Sequence, residues 1–336
     1  MPPDDFSHYV AALGRGPGRS RALTREEARL AFTSVLAGEV DPHQVGAFLM
    51  LLRYRGEDAD EITGLVEAAQ ATLPPMPHVA LDWPSYGAGR TRDAPWFLLA
   101  ALALGHAGTR VLMHGSNAFG TAMTVADGLA SLGLAPARNT GEAASFLDRM
   151  GFAYLPIETL SPEIAQLLGL RQLFGLRSPV NTVARLLDPA RAPAGVDGVF
   201  HPPYIDVHLG VAERLARPRL LVLKGGGGEA ERVPTKPGLA HLWTAAAGRS
   251  EIPLPALVPT EDQANARDPA LLAKVWRGEA TPPRALATIH ATIALALRAL
   301  GHSANADAAQ DNAERIWRAR RHVLLPAPLT DHPPAD

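Results

Sequence analysis

No cysteine occurs in the 336 residues, so disulfides, thiolate nucleophiles and cysteine metal sites are excluded. An excess of one charge is also lacking: 32 basic against 34 acidic side chains leave a formal net charge of −2. The molecule as a whole is no polycation, and any affinity for nucleic acid must come from a local patch. The longest apolar helix candidate, residues 95–105, falls short of the ~20 residues a bilayer span needs. Residues Met1–Asp5 carry no basic segment leading into an apolar one. No signal peptide is expected, and a cytoplasmic location follows as the expectation. No internal repeat, zinc-type His/Asp/Glu spacing or serine-centred nucleophile motif is found. What is present is a hydrophobic content of 47%, enough for a sizeable core and two subdomains.

The first seventy or so residues carry helix signals only. Thr24 and Glu27 form a capping box before 26–36, Asp41-Pro42 opens a helix running to about Arg55, and Asp58 caps another. Residues 73–77, rich in proline, act as a linker. Strand and helix then alternate. Strands are expected over 79–82, 109–113, 152–155 and 220–223. Helices are expected over 95–106, 121–132 and 140–150, with Thr140 as cap, and from Ser161. This pattern predicts an α/β fold: a small helical N-terminal domain and a larger α/β domain with a mainly parallel central sheet and surrounding helices. The expected division is 1–73, joined by helices from 161–192, then 78–325, then a disordered tail over 326–336. Thr260–Gln263 forms a further capping box, and helices follow over 281–300 and 305–321.

Residues 218–232 are the most informative stretch. A short apolar strand ends at Lys224, and Gly225, Gly226, Gly227 and Gly228 follow, then Glu229 and Glu231. Glycines let backbone amides approach a ligand closely, and a cation beside carboxylates suits an anion with or without a metal. A plain connecting loop is the other reading. Glycine turns also follow the strand candidates ending near Tyr86, with Gly87 and Gly89, and near His114, with Gly115. Strand carboxyl ends are where α/β sheets bind ligands, so the three turns are expected to share one cleft.

The layout resembles the anthranilate phosphoribosyltransferase (TrpD) family, within the glycosyl transferase family 3 and nucleoside phosphorylase superfamily. The likeness rests on the helical opening, the glycine turn after the first strand, His114-Gly115 after the second, and residues 175–189. Those last resemble the family segment Gly-x-Arg-Thr-x-x-Asn-x-x-Gly-Pro-Leu-x-Asn-Pro, with Gly175, Arg177, Asn181 and Pro189 matching. Several family motifs are altered. The diphosphate turn Gly-Thr-Gly-Gly-Asp becomes 85–90, with Arg90 and Arg92 nearby. The Lys-His-Gly-Asn-Arg motif becomes 113–117 without its lysine and arginine, and the magnesium Asp-Glu pair falls on Ala230-Glu231.

These departures, with Trp83, Trp96 and the glycine run, resemble the divergent YbiB-type branch of nucleic-acid binders. The expected function is therefore sequence-independent DNA or RNA binding by a homodimer, with no membrane and no required cofactor, the old donor site being degraded. Arg90, Arg92, His114, Asn117, Thr121, Arg177, Lys224, Arg232 and Lys236 are the candidate phosphate contacts, Arg177 matching the family arginine that meets the aromatic substrate. Residues 171–236 hold ten Arg or Lys against six Asp or Glu, an excess that either tracks a phosphodiester backbone or is a solvated face. Arg15, Arg19, Arg21 and Arg25 form a rival basic set. The alternative function is transfer of phosphoribose to anthranilate or a related acceptor. Magnesium would then rest on Glu229 and Glu231 as a residual site.

Overall fold

Capping side chains organise the helical opening of the chain. In the computed structural model, which describes residues 6–16, 18–87, 94–118, 123–260, 269–303 and 305–322, it comprises α1 (Ser7–Gly14), α2 (Arg25–Leu36), α3 (Pro42–Arg55) and α4 (Ala59–Ala71). Thr24 and Glu27 close the expected capping box on α2, and Asp58 and Glu61 close one on α4. Asp41 accepts from the His43 N–H, with Pro42 in the first turn of α3. These contacts satisfy amides that a helix start leaves without partners.

Strands and helices then alternate: β1 (Leu81–Ser85), α5 (Trp96–His106), β2 (Val111–Gly115), α6 (Val125–Ser131), α7 (Thr140–Met150) and β3 (Phe152–Pro156). Four short helices follow, α8 (Ile157–Leu160), α9 (Pro162–Gly169), α10 (Arg171–Phe174) and α11 (Val180–Arg185). Next come β4 (Ala194–Val199), α12 (Tyr204–Arg214), β5 (Arg219–Lys224), β6 (Gly238–Thr244) and β7 (Gly248–Leu254). The chain closes with α13 (Pro269–Arg277), α14 (Pro283–Leu300) and α15 (Ala306–Ala319). The cap of α7 is Asn139, not Thr140. The capping box expected at 260–263 and the tail beyond 322 lie outside the described residues.

The sheet runs β3-β2-β1-β4-β5-β6-β7. The first five strands are mutually parallel and the last two antiparallel. This is the helical-plus-α/β architecture the sequence pattern predicts. The strand order reverses between β1 and β4, the place where such sheets open a ligand crevice. The register shows how it opens. β1 pairs with β4 only at Leu81 and Asp82, whereas its pairing with β2 continues to Ser85. Pro84 lacks an N–H, and β4 has already diverged at that level, so no ladder bond to β4 is lost.

Alternation along each strand splits the core in two. Trp83, Met113, Tyr154, Val196 and Leu223 face one layer with α5 and α14. Leu112, Leu155, Leu220 and Val222 face the other, together with Phe32, Phe48 and Leu65 of the helical opening. Helix α5 is apolar on every side and buried from Trp96 to Gly105, as expected of a helix enclosed between sheet and outer helices. Among the described residues no helix is long and apolar enough to cross a membrane.

The α2 cap carries a pH signature. Hydrogen bonding from Arg21 lowers the Glu27 carboxyl from 4.5 to about 2. A folded-state value below the unfolded one adds stability that is full above pH 4.5 and is lost as pH falls through about 2. Glu27→Gln keeps a capping partner but not the ion pair. Its melting-temperature deficit at neutral pH should correspond to no more than ~1 kcal/mol, the range of exposed pairs. Melts from pH 7 to 2 should show that gap closing between pH 4.5 and 2; a gap unchanged at pH 2 contradicts the assignment.

Candidate functional site at the strand-order reversal

The turn after β5 folds tightly back on the sheet. Gly227 and Gly228 have φ of 65° and 82°, a region that favours glycine. A Cβ on Gly225 would lie 1.6 Å from the Glu229 carbonyl oxygen, and one on Gly198 would lie 2.0 Å from the Glu229 carbonyl carbon. The glycines thus allow residues 225–231 to sit directly on the end of β4. Glu229 is buried, and its Oε1 is 2.0 Å from where a Cβ on Gly87 would stand. Glu231, also buried, accepts from the Phe97 N–H at 2.9 Å through Oε2. That carboxylate meets the first turn of α5, whose own N-cap, Pro95, has no side-chain acceptor.

Beside this turn lies a cavity of about 320 Å³ between α3, α10, α11, the end of β4 and the start of α12. Arg53, Arg171, Arg177 and Arg185 line it, with Phe200 and Tyr204. No carboxylate lines it among the described residues. Arg53 donates to the Tyr204 hydroxyl, which donates to Glu57 at 3.0 Å. Burial, with help from Glu57, pushes the Tyr204 hydroxyl up to about 12. Arg177 is half-buried, and no hydrogen bond or ion pair engages it among the described residues. Burial lowers its pKa, and Arg171, Arg185 and Arg53 lower it further. The pocket therefore presents a desolvated cation with no counter-charge of its own.

Beneath the cleft, a buried polar chain crosses the sheet. Tyr86 Oη lies 2.9 Å from His114 Nδ1, and His114 Nε2 lies 3.3 Å from Asp82. Burial holds the Tyr86 hydroxyl well above its ordinary pKa. Arg217 lies 3.3 Å from both Asp82 and Asp188. Burial opposes the Arg217 charge, but Asp188, Asp82 and Asp197 outweigh it. Burial raises the Asp188 carboxyl to about 6 against the pull of Arg217. Asp197 pairs with His208 at 2.8 Å, which links this layer to the cavity wall.

The structure brings together Gly87, Gly225, Gly226, Gly227, Gly228, Glu229 and Glu231 at the strand-order reversal, with Arg177 in the adjoining cavity. Lys224 is exposed at the end of β5. Gly115 packs on β1, where a Cβ would lie 1.9 Å from the Ser85 oxygen. His114 is fully buried in the polar chain. Asn117 Oδ1 accepts from the Tyr154 hydroxyl at 3.1 Å and the Ala126 N–H at 3.4 Å. Arg232 is buried, holding the carbonyls of Val233, Lys236 and Pro255, and Lys236 is exposed beside it. Gly89, Arg90, Arg92 and Thr121 lie outside the described residues. No group of three His, Asp or Glu side chains forms a metal cage among the described residues.

Sequence reasoning passed over Arg53, Tyr204 and the chain from Asp82 to Asp188. The sequence signal for Arg53 and Tyr204 was slight: 151 positions separate the two. Asp82 offered a clearer one, as a charged residue inside an apolar strand.

Family models described as the helical bundle domain and the α/β domain of the glycosyl transferase family match residues 7–72 and 97–318. An anthranilate phosphoribosyltransferase of Methylobacterium nodulans is 32% identical over 332 residues, covering 95% of this chain and 94% of that protein. The enzyme of the same name from Serratia proteamaculans is 27% identical over 327 residues, covering 92% and 96%. Among solved structures, the Thermus thermophilus anthranilate phosphoribosyltransferase superposes with a TM-score of 0.77 at 22% identity, covering 94% of each chain. That of Saccharomyces cerevisiae, in complex with PRPP and Mg, superposes at 0.75 with 16% identity over 94% of each. The last two establish likeness of fold.

These relatives overturn the expectation of DNA or RNA binding on a YbiB-type branch: their names are those of a small-molecule transferase, and nothing in the similarity points to nucleic acid. The physical reason is visible in the side chains. Arg185, Arg217 and Arg232 are buried, Arg21 and Arg25 are paired with Glu27 and Glu67, and Trp83 and Trp96 lie in the core. Among the described residues, much of the local basic excess is engaged internally.

Asp82→Ala would remove one carboxylate from the buried chain and leave Arg217 and His114 short of a partner. The expected loss is ~3–5 kcal/mol, the scale for breaking a buried pair. Urea unfolding of the full chain measures it, and a loss under ~1 kcal/mol would show the network to be dispensable.

Proposed function

The chain belongs to the glycosyl transferase family of the anthranilate phosphoribosyltransferases, and from that premise we propose that it transfers phosphoribose from phosphoribosyl diphosphate to the amine of an aromatic acid, anthranilate or a close relative. The observation that carries this reading is Arg177. A half-buried guanidinium without a counter-ion, in a cavity with aromatic walls, calls for a planar anion, and the arginine fork matches a carboxylate in two contacts. Phe200 and Tyr204 supply surfaces for the ring.

The donor would lie over the turns at the strand-order reversal, with its diphosphate toward the glycine backbone and Lys224. The acceptor nitrogen attacks the ribose C1 while the bond from C1 to the diphosphate oxygen breaks. Positive charge develops on the sugar ring, the electron pair leaves with the diphosphate, and the proton lost by the acceptor amine passes to the departing diphosphate or to solvent. Positioned charges then supply most of the stabilisation. Glu229 and Glu231 would hold magnesium. Hard carboxylate oxygens suit it, and an ion that takes one or two carboxylates plus substrate phosphates and waters needs no third side chain. When bound, the metal neutralises charge on the departing diphosphate. The same reading groups residues 1–73 with the helices of 161–192 as one domain and 78–325 as the other; it is supported by the packing of α11 on α4 and α9.

Calorimetric titration tests the donor side: phosphoribosyl diphosphate should give clear heat with magnesium and much less without it. Arg177→Ala should then raise the acceptor KM by about 10- to 100-fold, the scale of a lost charged hydrogen bond, with donor affinity nearly unchanged. No donor heat at millimolar concentration, or an unchanged acceptor KM, contradicts the proposal.

A further inference from the structure

Arg185 is the last residue of α11 and is buried, 9% exposed. Its Nη1 donates to the carbonyls of Gly198 at 3.0 Å and Gly228 at 2.7 Å. Its Nη2 donates to the carbonyl of Tyr86 at 2.9 Å. Gly198 lies near the end of β4, Gly228 in the turn after β5, and Tyr86 just beyond β1. One guanidinium therefore bridges the carboxyl ends of three neighbouring parallel strands, at the point where β1 and β4 stop pairing. No carboxylate pairs with it among the described residues, so three carbonyl dipoles are its partners.

We propose that Arg185 is a positioning residue that ties the β1, β4 and β5 turns into one rigid donor platform. The physical case has three parts. Buried carbonyls at strand ends need donors, and Arg185 supplies three that the ladder no longer can. The planar fork fixes the relative direction of those carbonyls, which a flexible ammonium does not. An uncancelled positive charge also remains beneath the turns that would face a diphosphate. The effect on donor binding rests on the transferase reading; the tie itself does not.

The test uses the full chain with Arg185→Ala and Arg185→Lys, followed by hydrogen exchange. Amides in 197–200 and 225–231 should exchange about tenfold faster in Arg185→Ala, the scale of one charged hydrogen bond, while those of α5 stay unchanged. Arg185→Lys should recover little, and millimolar guanidinium ion should restore protection to Arg185→Ala. If Arg185→Ala does not fold, Arg185→Lys carries the same comparison. In calorimetry, phosphoribosyl diphosphate should bind either variant about tenfold more weakly, with anthranilate affinity moving less. Unchanged exchange in the turns overturns the proposal. So does loss of acceptor affinity with donor affinity intact, which would make Arg185 a simple acceptor-binding cation. If the wild type binds no donor, the transferase reading fails, while the exchange result still decides the tie.

Discussion

The backbone of Glu229 approaches Gly198 and Gly225 so closely that neither position tolerates a Cβ. The rest of the site depends on this contact. It seats the turn after β5 on the end of β4, turns the Glu229 carboxylate toward Gly87, and carries Glu231 to the first turn of α5. It also places the Gly228 carbonyl where Arg185 can reach it together with those of Gly198 and Tyr86. A four-glycine run that reads as flexible in isolation is, in the fold, seated on the end of β4.

Two layers of charge meet at the strand-order reversal, with different roles. The chain from Tyr86 through His114, Asp82 and Arg217 to Asp188 lies between the sheet and the layer that includes the helical opening. Its charged members face one another, Arg217 lying beside both Asp82 and Asp188. The cavity beside it is built on the opposite principle. Arg171 and Arg177 face it with no carboxylate in the lining among the described residues, and burial, with repulsion from Arg171, Arg185 and Arg53, lowers the pKa of Arg177. On the proposed reading, an anionic acceptor would supply the charge that the cavity lining lacks.

The resemblance to a nucleic-acid-binding branch, beside a modest local excess of arginine and lysine, pointed toward a polyanionic backbone. In the fold the arginines fall into separate groups. Arg232 holds three carbonyls at the edge of the sheet. Arg320 stacks at 3.6 Å on Trp317 and donates to the Trp276 carbonyl. Arg21 and Arg25 are paired with glutamates. Arg177 lines the cavity without a hydrogen bond or ion pair among the described residues. An arginine's partners are set by residues tens to hundreds of positions away, as with Arg185 and Tyr86, 99 positions apart, and no local window contains them.

Local chemistry in the chain determined the helical opening, the alternation of strand and helix, and the caps at Thr24, Asp41 and Asp58. Each of these depends on side chains within about four residues of one another or on a short repeat of apolar positions. The glycine turns and Arg177 were legible for the same reason, as local departures from that repeat and as a resemblance in a short segment. β4, with glycines at two of its six positions, and the hairpin of β6 and β7 carry weak local signals and are defined by the strands they pair with. The tertiary structure alone decided which carboxylate meets the first turn of α5, which arginine binds three strand ends, and which cations the cavity gathers. Those outcomes follow from burial and long-range hydrogen bonding, whose energies exist only once the distant partners have met.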